Sequence, residues 1–146
     1  MKKLISLYKF TEPLLNKMQS LSLLFLRLIL AYGFYEPAMM KWKDISSVAE
    51  WFSSMGIPLP TLNAYMAAST ELAGVFLLTF GLLTRLISIP LIVIMIVAIT
   101  TVHLSNGFSS GNNGFEIPLY YMLMLLVLVA YGAGKFSVDH FLFKKD

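Results

Sequence analysis

Four long apolar segments constrain this chain more than any other feature of its sequence. They cover residues 20–38, 62–83, 86–104 and 117–133. Each approaches the roughly 20 residues that a helix needs to cross about 30 Å of hydrocarbon. Only 13% of the 146 residues are charged, whereas soluble domains average about 25%, so the chain has too few charges to cover a water-exposed surface. The pattern therefore predicts membrane spans rather than a water-soluble globular core.

Backbone chemistry favours helices for these segments. Lipid offers no hydrogen-bond partner to an open backbone, and no segment alternates in hydrophobicity as barrel strands do. We therefore predict an all-α fold, an integral membrane four-helix bundle that forms a single domain over residues 1–146. The first apolar segment begins late, contains Arg27 and is not followed by a small-residue cleavage site, so we expect no cleaved signal peptide.

Lysines and arginines are distributed unequally between the two predicted sides of the membrane. One side carries eight of the 11, namely Lys2, Lys3, Lys9, Lys17, Arg85, Lys135, Lys144 and Lys145. The opposite side carries Lys41 and Lys43. Cytoplasmic loops are enriched in basic residues, so both termini are predicted to be cytoplasmic. Lysines beside apolar segments also indicate attraction to anionic lipid rather than to nucleic acid.

Two short amphipathic segments flank the first span. The N-terminal segment predicts an interfacial helix on the inner leaflet, which Pro13 is expected to end. Residues 44–55 predict a short outer-surface helix between the first two spans, with Ser47 and Glu50 at capping-box spacing. Pro37 is expected to end or kink the first span.

Two charged side chains lie inside the predicted spans, where a charge costs at least about 2.5 kcal/mol and normally has a partner. Arg27 lies in the first span and Glu71 in the antiparallel second span. We expect these two to form an ion pair. The pair is either a structural clip or a group that handles a ligand or protons, and snorkelling of Arg27 to the inner interface is a third interpretation.

Further polar residues gather at the predicted outer ends of the spans. Glu36 is expected to form a rim salt bridge with Lys41, and His103 ends the third span. Such groups are either ordinary interfacial residues or a pocket that relays protons or binds a polar head group. The candidate polar pocket comprises Arg27, Glu36, Lys41, Glu71, His103, Asn106 and Glu116.

Metal and thiol chemistry find little support in the sequence. The chain has no cysteine, which excludes disulfides, thiolate catalysis and cysteine-ligated clusters within it. No tight ligand spacing such as H-x₃-H occurs, so we predict no metal site.

Small residues of the second span, including Gly74 and Gly81, share the face of Glu71. This face is predicted to lie at the packed centre of the bundle.

An ordered set of motifs resembles a known family. The motifs are RLILAYGF from Arg27, ELAG from Glu71, GLLTR from Gly81, VH at Val102, NGF from Asn106, GFEIP from Gly114 and GAGKFSVD from Gly132. In this order and spacing they resemble the DoxX family of small four-helix bacterial membrane proteins, over about residues 21–139. The chain departs from the usual family pattern at residues 36–40, where a glycine is common before the lysine.

The resemblance implies a place in redox or sulfur-handling chemistry at the bacterial inner membrane. The family is related to a membrane subunit of thiosulfate:quinone oxidoreductase, and other members look like membrane partners of redox proteins. The residues that match its recurring polar positions are Arg27, Lys41, Glu71, Arg85, His103, Asn106 and Glu116.

Three functions remain open on these grounds. The first is a quinone-linked oxidoreductase subunit with no covalent cofactor, in which Tyr35, Tyr65 and Tyr120 contact the quinone ring while His103 and the carboxylates supply protons. Electrons would come from a soluble redox partner or a bound substrate. The second is a non-enzymatic membrane scaffold that docks a soluble protein. The third is a small-solute or ion transporter, which would need a homo-oligomer because four spans without an internal repeat are too few to form a transport pathway.

Overall fold

The computed structural model describes the backbone of residues 2–143, and it describes the side chains within that range except those of residues 2–10, 13, 14, 16 and 17. The described residues form helices and no strand, which confirms the all-α prediction. The helices are α1 (Lys2–Lys43), α2 (Ile45–Ser54), α3 (Pro60–Phe80), α4 (Thr84–Ala98), α5 (Glu116–Tyr131) and α6 (Val138–Phe143). Between α4 and α5 lie a π-helical turn (Ile99–His103) and two 3₁₀ turns (Leu104–Asn106 and Ser110–Asn112).

Helix α1 passes through both of its prolines. It runs for 42 residues without interruption, so the interfacial helix that we expected to end at Pro13 is wrong as a separate element. Of the two outcomes expected at Pro37, an end or a kink, the structure excludes the end. A proline removes only one backbone hydrogen bond, and packing can hold the helix together around it. Ala38, next to Pro37, is completely buried. The predicted apolar face of residues 2–10 lies outside the described side chains.

Helix α2 forms where the outer-surface helix was predicted, with a different cap. Its N-cap is Asp44, whose carboxylate accepts hydrogen bonds from the backbone N–H of Ser47 (3.1 Å) and from the Ser47 hydroxyl (2.6 Å). Ser47 therefore does not cap the helix itself, because Asp44 already satisfies one of the free N–H groups of the first turn. The helix ends before Gly56, which has a φ of 74°.

The cap makes α2 sensitive to acid. Hydrogen bonds from Ser47, and then from Ser46, lower the pKa of Asp44 from 3.8 to about 2. Because the folded-state pKa is lowered, the capping contribution is fully present above pH 3.8 and is lost as the pH falls through about 2. We expect the Ser47 amide proton shift, followed by NMR, to titrate near pH 2, and Ser47→Ala to move the midpoint toward 3.8. An unchanged midpoint in Ser47→Ala, or an equal shift in the control Ser54→Ala, would contradict this assignment.

Helix length and composition give part of the chain the character of membrane spans. Met18–Lys43 and Thr84–Asn106 are long and apolar enough to cross a bilayer, and the apolar helix Glu116–Tyr131 is shorter. Large apolar side chains such as Phe25, Phe76 and Ile89 are more than half exposed on the outer faces of the helices. Water-soluble monomers rarely expose extended apolar surface of this kind, so these faces suit lipid contact.

The helices pack as a ring with one loose seam. Helix α1 packs on α3, α3 on α4, and α4 on α5, whereas α1 and α5 touch only weakly. The core between them contains Leu23, Leu30, Ala31, Phe34, Leu78, Ile87, Leu91, Met95, Leu125 and Leu128. A Cβ at Gly74 would stand 2.9 Å from a methyl carbon of Leu91, so the small residue lets α3 approach α4 closely, as predicted.

Helix α3 ends at a position that only glycine can occupy without strain. Gly81 has a φ of 66°, a left-handed conformation that costs other residues about 1–2 kcal/mol. A Cβ there would also overlap the Arg27 guanidinium and stand 2.6 Å from the Cβ of Ser137.

We expect Gly81→Ala to lower the thermal stability of the detergent-purified protein more than Gly56→Ala does. Gly56 has a similar φ of 74° but open space around it, so equal losses in the two variants would show that the overlap has no cost.

Candidate functional site

A buried ion pair joins α1 to α3. The Lys41 ammonium lies 2.8 Å and 3.0 Å from the two carboxylate oxygens of Glu71 and donates to both. The Glu71 side chain is 3% exposed and that of Lys41 is 18% exposed. Burial of a carboxylate is tolerable only with a close, well-oriented partner, so the fold depends on Lys41 to hold Glu71 inside the bundle.

Both ion pairs expected from the sequence are wrong in the structure. Glu71 pairs with Lys41 rather than with Arg27, because Arg27 lies 14 residues before Lys41 on α1, about 21 Å away along the helix axis. Lys41 in turn does not pair with Glu36. Five residues of helix turn through about 500°, which leaves the two side chains about 140° apart, and Glu36 is exposed without a hydrogen bond to any described residue.

Arg27 instead binds backbone oxygen atoms at the opposite end of α3. Its guanidinium is fully buried and donates to the carbonyls of Leu78 (2.9 Å), Thr79 (3.4 Å) and Phe136. The last carbonyls of a helix have no partner within the helix and carry partial negative charge. Arg27 therefore caps α3 and ties the C-terminal segment to it.

Asp139 joins the C-terminal segment to the start of α4 beside Arg27, and sequence reasoning did not assign it a role. Its carboxylate accepts from the backbone N–H groups of Leu83 (2.7 Å) and Thr84 (2.9 Å), which begin α4. Its own N–H donates to the carbonyl of Gly81 (2.9 Å). The GAGKFSVD motif at Gly132 contained the available signal, since aspartate is a preferred N-cap residue, but the helix that Asp139 caps is distant in sequence.

The remaining polar candidates organise the loop between α4 and α5. His103 Nδ1 donates to the carbonyl of Asn113 (2.8 Å), and the Asn106 amide donates to the same oxygen (3.2 Å). The Glu116 carboxylate accepts from the Ser110 N–H (3.0 Å) and from the Tyr120 hydroxyl (3.2 Å). Within the described residues, no hydrogen bond or ion pair connects this loop to Lys41 or Glu71. The structure thus divides the candidate residues into Arg27, the Lys41–Glu71 pair and the three loop residues, and it leaves Glu36 outside all of these groups.

The three tyrosines proposed as ring contacts are roughly half exposed and spread over separate surfaces. Tyr65 packs edge-to-face on Trp42, with ring centroids 6.0 Å apart, and Trp42 directly follows Lys41. Tyr120 packs on Phe108 with centroids 6.4 Å apart. Tyr35 makes no aromatic contact with a described residue. Of the three tyrosines, Tyr65 is the one whose ring partner neighbours a residue of the buried ion pair in the chain.

Metal ligands do not cluster in the part of the chain that the structure describes, where no group of three or more His, Asp or Glu side chains is placed to hold an ion.

Comparison with known proteins finds relatives along most of the chain. The family model described as DoxX matches residues 22–104. An uncharacterized protein of Haemophilus influenzae is 38% identical over 81% of this chain and 81% of its own length. The "Putative oxidoreductase CatD" of Bacillus subtilis is 33% identical over 89% of this chain and 93% of its own. A second uncharacterized Haemophilus influenzae protein is 33% identical over 90% and 98%. No solved structure matches.

Proposed function

Because this chain belongs to the DoxX family, we propose that it is a four-helix inner-membrane protein that serves a quinone-linked redox reaction. In this proposal α3, α4, α5 and the part of α1 from Met18 onward span the bilayer, and both termini are cytoplasmic. The apolar outer faces of these helices and the lysine distribution support the arrangement. The relative named as a putative oxidoreductase supports the redox assignment.

The Lys41–Glu71 ion pair carries the proposal. A protonated lysine has three N–H donors, and two of them are used by the carboxylate of Glu71. The third can donate to the carbonyl oxygen of a quinone, because the Lys41 side chain keeps 18% of its surface exposed. Trp42, the next residue in the chain, packs on Tyr65, and we propose that this aromatic pair contacts the flat quinone ring.

The electrons require a partner. Reduction of a quinone to a quinol takes two electrons and two protons, and the chain has no cysteine through which thiol chemistry could supply electrons. We assign the electron donor to a soluble redox protein or a reduced substrate at the membrane surface. The role of this chain is then to bind the quinone, orient its carbonyl toward Lys41 and deliver protons past the ion pair.

Quinone retention in mild detergent tests the proposal. We expect the purified protein to retain ubiquinone or menaquinone, and the double variant Lys41→Met/Glu71→Leu to retain at least tenfold less. The double variant is used because it removes both charges and leaves neither one unpaired. Lys43→Met is the matched control, since Lys43 is exposed and unpaired among the described residues. Retention that is equal in all three proteins would refute the assignment of the quinone to Lys41.

One observation favours the scaffold alternative. The polar side chains of the loop between α4 and α5 form hydrogen bonds within the loop. Such bonds are expected of a loop that is held in one shape to dock another protein. A scaffold predicts that no quinone is retained while a soluble protein co-purifies in stoichiometric amount, and that this protein is still bound by Lys41→Met/Glu71→Leu.

A further inference from the structure

The loose seam between α1 and α5 holds two adjoining clefts at the inner end of the bundle. Their volumes are about 400 Å³ and about 300 Å³, and they share Gln19, Leu23 and Tyr131. They lie near the junction where Arg27 meets the C-terminal segment, far along α1 from Lys41. We call the two together the seam cleft.

The seam cleft changes from polar to apolar along its length. The larger part is lined by Ser20, Lys135 and His140 among others. The smaller part is lined by Leu26 and Val127. Leu26 lies seven residues beyond Gln19 on α1, which places it about 10 Å deeper along the helix axis. The cleft therefore has the polarity profile of an amphipathic molecule that stands parallel to the helices.

Among the described residues that line it, the polar part offers one cationic side chain to a ligand, that of Lys135. Asp139 also lines it and keeps its negative charge, but its carboxylate is held by the N–H groups that begin α4 and forms no ion pair with Lys135. The Lys135 ammonium has no hydrogen bond or ion pair with a described residue, and the His140 imidazole has none either, although both line the cleft. An unpaired ammonium at a membrane interface attracts an anionic group.

We propose that the seam cleft binds one anionic phospholipid, with its phosphate at Lys135 and His140 and an acyl chain along Leu26 and Val127. The proposal rests on the membrane placement of the preceding section. A phosphate carries a full negative charge to match Lys135, whereas a quinone head is neutral, and basic pockets between spanning helices on the cytoplasmic side are typical sites for acidic lipids. The lipid fills the seam where α1 and α5 pack weakly.

Native mass spectrometry of the full-length protein tests the proposal. The protein is offered equal amounts of phosphatidylglycerol and phosphatidylethanolamine with identical acyl chains. We expect at least a fivefold preference for phosphatidylglycerol, which Lys135→Ala abolishes. Val127→Trp should fill the apolar part and lower the binding of both lipids at least fivefold.

Two exposed positions elsewhere supply matched controls. Lys43→Ala removes an exposed lysine at the far end of α1, and Val93→Trp adds the same bulk to the outer face of α4, where Val93 is 54% exposed. Both controls should bind phosphatidylglycerol like the wild type. Equal losses in a control and its partner variant would overturn the proposal, because they would indicate general surface attraction or general damage.

Other outcomes identify other occupants, and each overturns the proposal. Displacement of the lipid by millimolar inorganic phosphate, with no effect of Val127→Trp, would indicate a free-phosphate site. Retention of ubiquinone that Val127→Trp abolishes would place the quinone in the seam cleft. Failure of the membrane placement itself is distinguishable, since the chain would then stay soluble without detergent.

Discussion

Replacing Arg27 by methionine should destabilise the folded protein by about 3 kcal/mol, because a hydrogen bond from a charged donor contributes about 1.5–3 kcal/mol and the Arg27 guanidinium makes several of them. The Arg27 side chain is fully buried and bonds three carbonyls, two at the end of α3 and that of Phe136. Methionine is apolar and cannot donate to any of them. The Leu78 carbonyl keeps a longer hydrogen bond from the Gly81 N–H (3.3 Å), so the expected loss comes mainly from the charge-assisted hydrogen bonds themselves and not from carbonyls left without any donor.

The control for this prediction is Arg85→Met. Arg85 is exposed, and its side chain makes one hydrogen bond to the described residues, to the carbonyl of Ala130 (3.1 Å), so its loss should cost about 1 kcal/mol or less. Thermal unfolding of both variants in the same detergent, followed by intrinsic fluorescence, compares the two losses directly. If Arg27→Met unfolded at the same temperature as Arg85→Met, the capping role of Arg27 would be wrong.

The second large effect is expected at the Lys41–Glu71 pair, and it should be asymmetric. Lys41→Met leaves the Glu71 carboxylate, 3% exposed, without its partner, and we expect a loss of about 3 kcal/mol or more. Glu71→Leu should cost less, because the Lys41 ammonium is more exposed and its long side chain can carry it toward water. The double variant should be close to wild type in stability, since two charges are replaced by apolar groups.

A double-mutant cycle measures the coupling between the two residues. The unfolding free energies of the wild type, the two single variants and the double variant are compared in one detergent. The expected order of stability is wild type and double variant first, then Glu71→Leu, then Lys41→Met. Additive losses would contradict the pairing, and a reversed order of the single variants would contradict the argument from exposure.

Helices followed from the sequence because their causes are local. Apolar length and the glycine at position 56 each act within a few residues of themselves, and the structure has the corresponding elements. The continuity of α1 could not be predicted from the sequence, because a proline indicates a lost hydrogen bond but not the packing that compensates for it.

The partners of the buried charges could not be derived in the same way. Counting residues into each span estimates depth, and it put Arg27 and Glu71 near enough to suggest a pair. The actual partner of Glu71 depends on which face of α1 meets α3, and the partners of Arg27 include a carbonyl 109 residues later in the chain. The seam cleft likewise depends on how loosely α1 meets α5, which no single segment encodes.

The bond between Arg27 and Phe136 can form only after most of the chain has been synthesised. Arg27 is translated long before residues 136–139, so its guanidinium lacks one acceptor, and α4 lacks its aspartate cap, until the chain is nearly finished. A chain that ended before residue 136 would therefore keep the Arg27 charge with one acceptor fewer.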